Sequence, residues 1–351
     1  MTLLASPRII GGMFGLESQP TQPRVTSNAQ PSFLAEPHIK LSTARSAFTL
    51  LNRFLSPGTA WLPSYLCGVV LGGFSSGSTR VRFYAVDERL RVAEDRWLDE
   101  VRTGDMVVFI DYFGFSFWGE FGASARKRGA WVVEDACQAM LNECFCEHSH
   151  YVIFSPRKFV GVPDGGILLA QGEASLPKQE LPPPPPEWWL DALAASQLRA
   201  EYDQHGGDRQ WFDLFHMTDP CGPVEPTRMS ELGCLLLTHA IVYGPIARTR
   251  RENFRALAAA LPEFAVFPEL PELVVPLGFP VRLSHRDHVR NALFAADIFP
   301  PVHWSLAGVV PDTFIDSHQL AREIMTLPCD QRYGLSDMER LVSCFHKALR
   351  S

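Results

Sequence analysis

The stretch that decides the fold runs from 131 to 170: WVVEDACQAMLNECFCEHSHYVIFSPRKFVGVPDGGILLA. It opens on an apolar run, WVV (131–133), that breaks into Glu134-Asp135-Ala136-Cys137-Gln138. A second run, YVIF (151–154), breaks into Ser155-Pro156-Arg157-Lys158, and a third, GILLA (166–170), follows Gly165 directly. Short continuous apolar runs bounded by turn residues read as strands covered on both faces. In an open α/β sheet, ligands gather at the carboxyl ends of strands. Asp135 and Lys158 stand at such ends and are candidate site residues. Neither identifies a site alone, because an Asp also caps helices and most lysines are solvated surface charges.

Upstream, VRFYAV (81–86) and MVVFI (106–110) read as further strands, and 121–128 as a helix between strands. An earlier helix carries Ala47, Leu50, Leu51, Phe54 and Leu55 at i, i+3, i+4, i+7, i+8 and starts after Ser42-Thr43, which suits an N-cap. Strands alternating with helices predict an α/β fold: a mostly parallel sheet flanked by helices. Downstream, helices at 229–241, 249–261, 286–296 and 335–349 and strands at 273–276 and 279–282 predict a smaller α+β domain over 246–351. Residues 1–245 then form the larger domain.

The start of that first helix, Thr43-Ala44-Arg45-Ser46-Ala47, supplies a third feature. Its free N–H groups and positive dipole end favour a phosphate, and small residues allow close approach. The order along the chain is then a phosphate-binding helix start, an Asp about 90 residues on that can hold a ring nitrogen, and a Lys about 20 beyond it that can form a Schiff base. That set is the requirement of pyridoxal phosphate.

Composition narrows the alternatives. The chain has 351 residues, with 39 acidic and 32 Lys+Arg side chains and a net charge of -7. Net acidity without a basic block argues against a nucleic-acid binder. No apolar run approaches the ~20 residues that span a bilayer, since the longest, around 232–247, contains His239, Gly244 and Pro245. The start, MTLLASPRIIGG, lacks a basic segment before an apolar one, so no signal peptide is expected. Eight scattered cysteines in a large chain then read as reduced thiols of a cytoplasmic protein.

Five consecutive prolines at 182–186 predict an extended surface spacer, followed by Trp188, Trp189 and a helix through Tyr202. The segment 172–227 reads either as a lid or dimer arm or as a surface insertion. Cys144, Cys146, His148 and His150 would share one face of a strand. Structural zinc normally uses closely paired Cys with distant His, so a hairpin is expected there and no metal.

Over most of its length the chain resembles the DegT-type nucleotide-sugar aminotransferases, a family of fold-type I pyridoxal phosphate enzymes. TARSAFTLLN (43–52) is similar to the family's phosphate-binding helix start, and LPSYLC (62–67) to its turn beside the cofactor ring. WVVEDACQ (131–138) and SPRKFVGVPDGG (155–166) resemble its Asp and Lys segments, which are the specific ones. RMSEL (228–232), RRENFRAL (250–257), PPVHW (300–304) and LPCDQRY (327–333) resemble later segments.

The resemblance implies an aminotransferase that moves an amino group, with glutamate as donor, to a nucleotide-linked keto-sugar in polysaccharide or antibiotic sugar biosynthesis. It implies a cytoplasmic homodimer with no nucleic-acid or membrane partner. Lys158 would be the Schiff-base lysine and the proton carrier, and Asp135 the ring-nitrogen partner. Gln138 would lie near the ring hydroxyl. Ala44, Arg45, Ser46 and Ser155 would hold the phosphate. Tyr65 and Cys67 would border the ring, and His303, Trp304 and the segment 11–17 would approach the substrate.

Three positions depart from the family pattern. Cys67 replaces the stacking aromatic, which leaves Tyr65 or Leu66 to cover the ring. Ile153 replaces a serine five before the lysine. Pro226 replaces an Asn that reaches the neighbouring subunit. Two other readings stand beside this one. A sugar dehydratase of the same fold typically carries His at the lysine position. A degenerate member would keep the fold as a scaffold or regulator.

Overall fold

The computed structural model describes residues 9–17, 31–75 and 77–350. Residues 1–8, part of the stretch scanned for a signal peptide, lie outside the described residues. Along the chain, β1 (Ile10–Gly11) precedes β2 (His38–Leu41), α1 (Ala44–Leu55), β3 (Thr59–Pro63), β4 (Arg80–Tyr84) and β5 (Met106–Ile110). Next come α2 (Gly119–Lys127), β6 (Trp131–Asp135), β7 (Tyr151–Phe154) and β8 (Gly166–Ala170). A helical part follows: α3 (Pro186–His205), α4 (Gln210–Thr218), α5 (Glu231–Leu235) and α6 (Tyr243–Ala260). The end holds β9 (Phe279–Arg282), α7 (Arg286–Phe294), β10 (Ile298–Phe299), α8 (Ile315–Glu323), β11 (Ile324–Leu327) and α9 (Leu335–Ala348).

Strands β2 to β8 form one sheet in the order β2-β8-β7-β6-β5-β3-β4. β3 to β7 pair in parallel, whereas β8 is antiparallel to both β7 and β2. One strand is therefore reversed, and the sheet is mostly parallel, as the apolar runs predict. The register places Ile110 beside Asp135 and Asp135 beside Ile153, so the carboxyl ends of β5, β6 and β7 lie level. Leu41 pairs with Gly166, which brings the end of β2 and the start of α1 to the same edge.

The alternation of side chains explains the unbroken apolar runs. Tyr151, Ile153 and Leu168 enter the core on one face, and Val152, Phe154, Ile167 and Leu169 the core on the other. α1 covers the first face, where burial of Phe48, Leu50 and Leu51 contributes about 1.5–3 kcal/mol each. The Thr43 side chain accepts the Ser46 N–H at the start of α1, and Ser56, at φ 46°, ends the helix in the left-handed region. β9 and β11 make a separate antiparallel pair, and β1 pairs in parallel with β10.

Several expectations change. Residues 273–276 are not a strand: Pro271 and Pro276 bracket them, and their backbone is satisfied elsewhere. Val275 N–H donates to Asn142 Oδ1, and the Val274 carbonyl accepts from Arg251. Residues 143–150 form turns rather than a hairpin, so Cys144, Cys146, His148 and His150 share no strand face. No group of three or more His, Cys, Asp or Glu with metal-binding geometry occurs among the described residues. The helix expected at 229–241 splits into α5 and a π-helical turn at Leu236–Ala240.

The proline run is not a free spacer. Pro184 is buried, the Pro182 carbonyl accepts the Arg228 N–H, and Pro186 opens α3, where a missing N–H costs nothing. No single described helix is long and apolar enough to cross a membrane.

Candidate active site

Asp135 ends β6 and is 6% exposed. One carboxylate oxygen accepts the Cys137 N–H at 3.0 Å, a local turn that follows from its place at the strand end. A carboxylate has about four acceptor positions, so capacity remains for another donor. Lys158 closes the short turn Pro156–Lys158 directly after β7. Its ammonium makes no hydrogen bond or ion pair among the described residues. Its charge acts on both Cys137 and His303. Gln138 is buried, and its Oε1 accepts the Phe113 N–H at 2.7 Å. Its Nε2 is buried without a partner, an uncommon state for a native amide.

The walls come from three other segments. Tyr65 is fully buried, with its ring 5.7 Å from Tyr112 and 5.5 Å from Trp304, and burial raises its hydroxyl pKa. Cys67 is half-buried and close enough to Arg45 and Cys137 to act on both charges. His303, after β10, bonds through Nδ1 to Thr326 Oγ1 at 2.9 Å and packs edge-on against Phe113. Burial and then the Lys158 charge push the pKa of His303 down to about 3, so it is neutral near pH 7. Tyr65 and Tyr112 thus pack against Trp304, while Asp135 and Gln138 stand at the end of β6 and Lys158 follows β7.

The expected phosphate side is different. Ser46 spends its hydroxyl on the Thr43 carbonyl and its N–H on Thr43 Oγ1. Thr43 Oγ1 also donates to the Pro223 carbonyl at 2.7 Å. Arg45 donates to the carbonyls of Pro220 at 3.0 Å, Gly222 at 3.3 Å and Asp219 at 2.9 Å. Arg157 reaches the Asp219 carboxylate at 3.0 Å. Residues 219–223 therefore lie over the start of α1. Ala44 is half-buried there, and the Ser155 hydroxyl has no partner among the described residues. The segment 11–17 packs on the Lys158 loop, where Glu17 N–H donates to the Gly161 carbonyl and Gly161 N–H to Glu17 Oε1. Arg332 holds the carbonyls of Gly12 and Met13. This N-terminal segment supports the loop that carries Lys158.

Sequence reasoning missed Asp111, Glu134, Arg157 and Asp219. Asp111 and Glu134 are buried side by side, 1% exposed each, next to Asp135. Trp118 Nε1 donates to Asp111 at 2.8 Å, and Ser149 Oγ donates to Glu134 at 2.6 Å. Burial, opposed by these hydrogen bonds, pushes the pKa of Asp111 up to about 6; burial and the Asp111 charge raise that of Glu134 further. The pair retains a proton near pH 7. The strand-end rule that selects Asp135 would also have selected Asp111, which follows MVVFI directly.

No protein-family model matches the chain, and no curated protein matches it in sequence. Solved structures do. The chain is similar to DesV of S. venezuelae, solved in complex with a ketimine intermediate, at 16% identity and TM-score 0.65, covering 89% of this chain and 84% of that one. It is similar to the aminotransferase TlmJ of Streptoalloteichus hindustanus at 19% identity and TM-score 0.61, covering 89% and 86%. A DegT DnrJ EryC1 StrS aminotransferase of Brucella abortus matches at 16% identity and TM-score 0.61, over 89% and 86%. The level strand ends, the single reversed strand and these likenesses agree: the chain adopts the fold-type I architecture of pyridoxal-phosphate-dependent aminotransferases.

Proposed function

We propose that this chain is a pyridoxal-phosphate-dependent aminotransferase acting on a nucleotide-linked keto-sugar. The observation that carries the reading is that Asp135 and Lys158 stand at the carboxyl side of the paired strands β6 and β7, with the Gln138 amide just after Asp135 buried and unpartnered. The donor set fits the cofactor ring. Asp135 has acceptor capacity for a protonated ring nitrogen, Gln138 Nε2 is a buried donor without an acceptor, and the Lys158 amine is free to bond a carbonyl carbon.

When bound, pyridoxal phosphate supplies an electron sink for the carbon that loses its proton. Asp135 would keep a proton on the ring nitrogen. Lys158 would anchor the cofactor, and after an amino donor displaces it, its amine would carry a proton between two carbons as base and then acid. Neutral His303 would leave the Lys158 amine as the group that takes the proton. Tyr65, Tyr112 and Trp304 would exclude water.

The sugar rests on the similar structures, one of which is DesI in the presence of its TDP-sugar product, at 17% identity. Glutamate as donor, the homodimer and the division near residue 245 belong to the same proposal. The separate β9–β11 pair supports the division. A cytoplasmic site agrees with eight free cysteines. Lysine at position 158, where the dehydratase reading calls for histidine, favours amino transfer.

The test has two parts. Borohydride treatment after incubation with pyridoxal phosphate should leave the cofactor mass on the peptide carrying Lys158. Incubation with glutamate and a panel of nucleotide keto-sugars should yield an amino sugar by mass spectrometry. Protein that stays colourless with added pyridoxal phosphate would overturn the proposal.

A further inference from the structure

We infer that Arg157 and Arg45 form the cation pair that receives the cofactor phosphate, and that the turn 219–223 is an internal anion arm holding this pair until the phosphate displaces it. The inference rests on the function proposed above. It starts from charge. Two guanidinium groups meet the same residue between the start of α1 and the loop of Lys158: Arg157 donates to the Asp219 carboxylate and Arg45 to the Asp219 backbone carbonyl. The Asp219, Pro220 and Gly222 carbonyls add partial negative charge at Arg45. Arg157 Nε remains buried without a partner. Burial, and with it the Arg157 charge, lowers the pKa of Arg45, so the two guanidinium groups lie close enough to interact.

The balance of charge and space follows. A phosphate monoester carries close to two negative charges at neutral pH. The two arginines match it only if the Asp219 carboxylate withdraws. Withdrawal is possible because the Asp219 side chain is 40% exposed, while that of Arg157 is 21% exposed. The cavity beside Arg157 and Asp219, lined also by Met13, Phe14, Phe215 and Thr218 among others, has about 30 Å³. That is room for about one water and too little for a phosphate. The phosphate would therefore take the place where the arm lies. Thr43, which loses no charge in the exchange, would release the Pro223 carbonyl on the same side. This also gives a role to the segment 172–227, whose helix α4 ends at the arm and whose helix α3 bonds that end through Trp188 Nε1 and the Thr218 carbonyl.

The test compares pyridoxal phosphate with pyridoxal, which lacks the phosphate, by absorbance titration of the full-length cofactor-free chain, with inorganic phosphate as a competitor. R157Q should weaken pyridoxal phosphate about tenfold or more, the worth of a charge-assisted hydrogen bond, and leave pyridoxal within about twofold. D219N should tighten pyridoxal phosphate several-fold and make inorganic phosphate a better competitor, again without moving pyridoxal. In the double variant the D219N gain should vanish. Native-like pyridoxal binding in each variant excludes misfolding as the cause. The inference is overturned if the preference for pyridoxal phosphate over pyridoxal moves in neither variant. It is equally overturned if D219N weakens pyridoxal phosphate, because Asp219 would then be a structural brace. If native protein binds neither compound, the proposed function itself fails and takes the inference with it.

Discussion

Asp135, Lys158 and Gln138 keep unused hydrogen-bonding capacity, whereas Arg45 and Arg157, along the same edge of the sheet, are held by the turn 219–223. The first group stands directly on strand ends, where the sheet fixes position and adjacent backbone is already paired. The second group sits on a helix start and a turn, within reach of a segment far away in the chain.

The variants that bear on this contrast differ in size. Lys158→Ala removes the proton carrier and the anchor, and amino transfer should fall by about 10³-fold or more, read as amino-sugar product per unit time. Retained activity would break the reading of the open half. Asp135→Ala should weaken pyridoxal phosphate binding by about tenfold to a hundredfold in absorbance titrations, since it removes a charged hydrogen-bond partner from a buried site. The same variant should leave the phosphate-dependent preference intact, because the two halves are separate.

The buried carboxyl pair predicts a pH dependence. The Asp111 pKa lies above its ordinary value, so the folded chain keeps a proton that the unfolded chain gives up. Stability from this source is complete below about pH 4 and is lost as pH rises through about 6, by at most about 1.4 kcal/mol per pH unit for one proton. Asp111→Asn should flatten that decline in thermal melts taken from pH 4.5 to 7. His303 acts in the opposite sense. Its pKa is pushed down to about 3, so stability is lost as pH falls from 6.5 toward 3. Its imidazole resonances should not titrate between pH 5 and 8. The smallest effect belongs to Thr43→Ala, which removes the α1 cap and the Pro223 contact and should lower stability by about 1 kcal/mol in denaturant melts.

Much of the fold was legible. MVVFI, WVV, YVIF and GILLA are β5, β6, β7 and β8 because strands covered on both faces need no polar alternation. β2 and β3 escaped notice. HIKL is polar at two of four positions, and TAWLP ends in proline, so neither carries a strong period. Asp135 and Lys158 could be picked out as candidates because one ends an apolar strand and the other lies in the short turn that follows the next. The arm was not. The Arg45–Asp219 contact joins residues 174 apart, and such a distance leaves no periodicity and no spacing to read.

By itself the sequence determined the alternation of strand and helix and the places of Asp135 at the end of β6 and Lys158 in the turn after β7. These are local properties, set by side-chain period and by which residue follows a strand. Only the tertiary structure decided that β8 runs against its neighbours, that Asp111 and Glu134 share a buried corner, and that residues 219–223 cover the start of α1. Each of those depends on backbone and charge being satisfied across long chain separations, where the partner is chosen by the packing of the whole molecule.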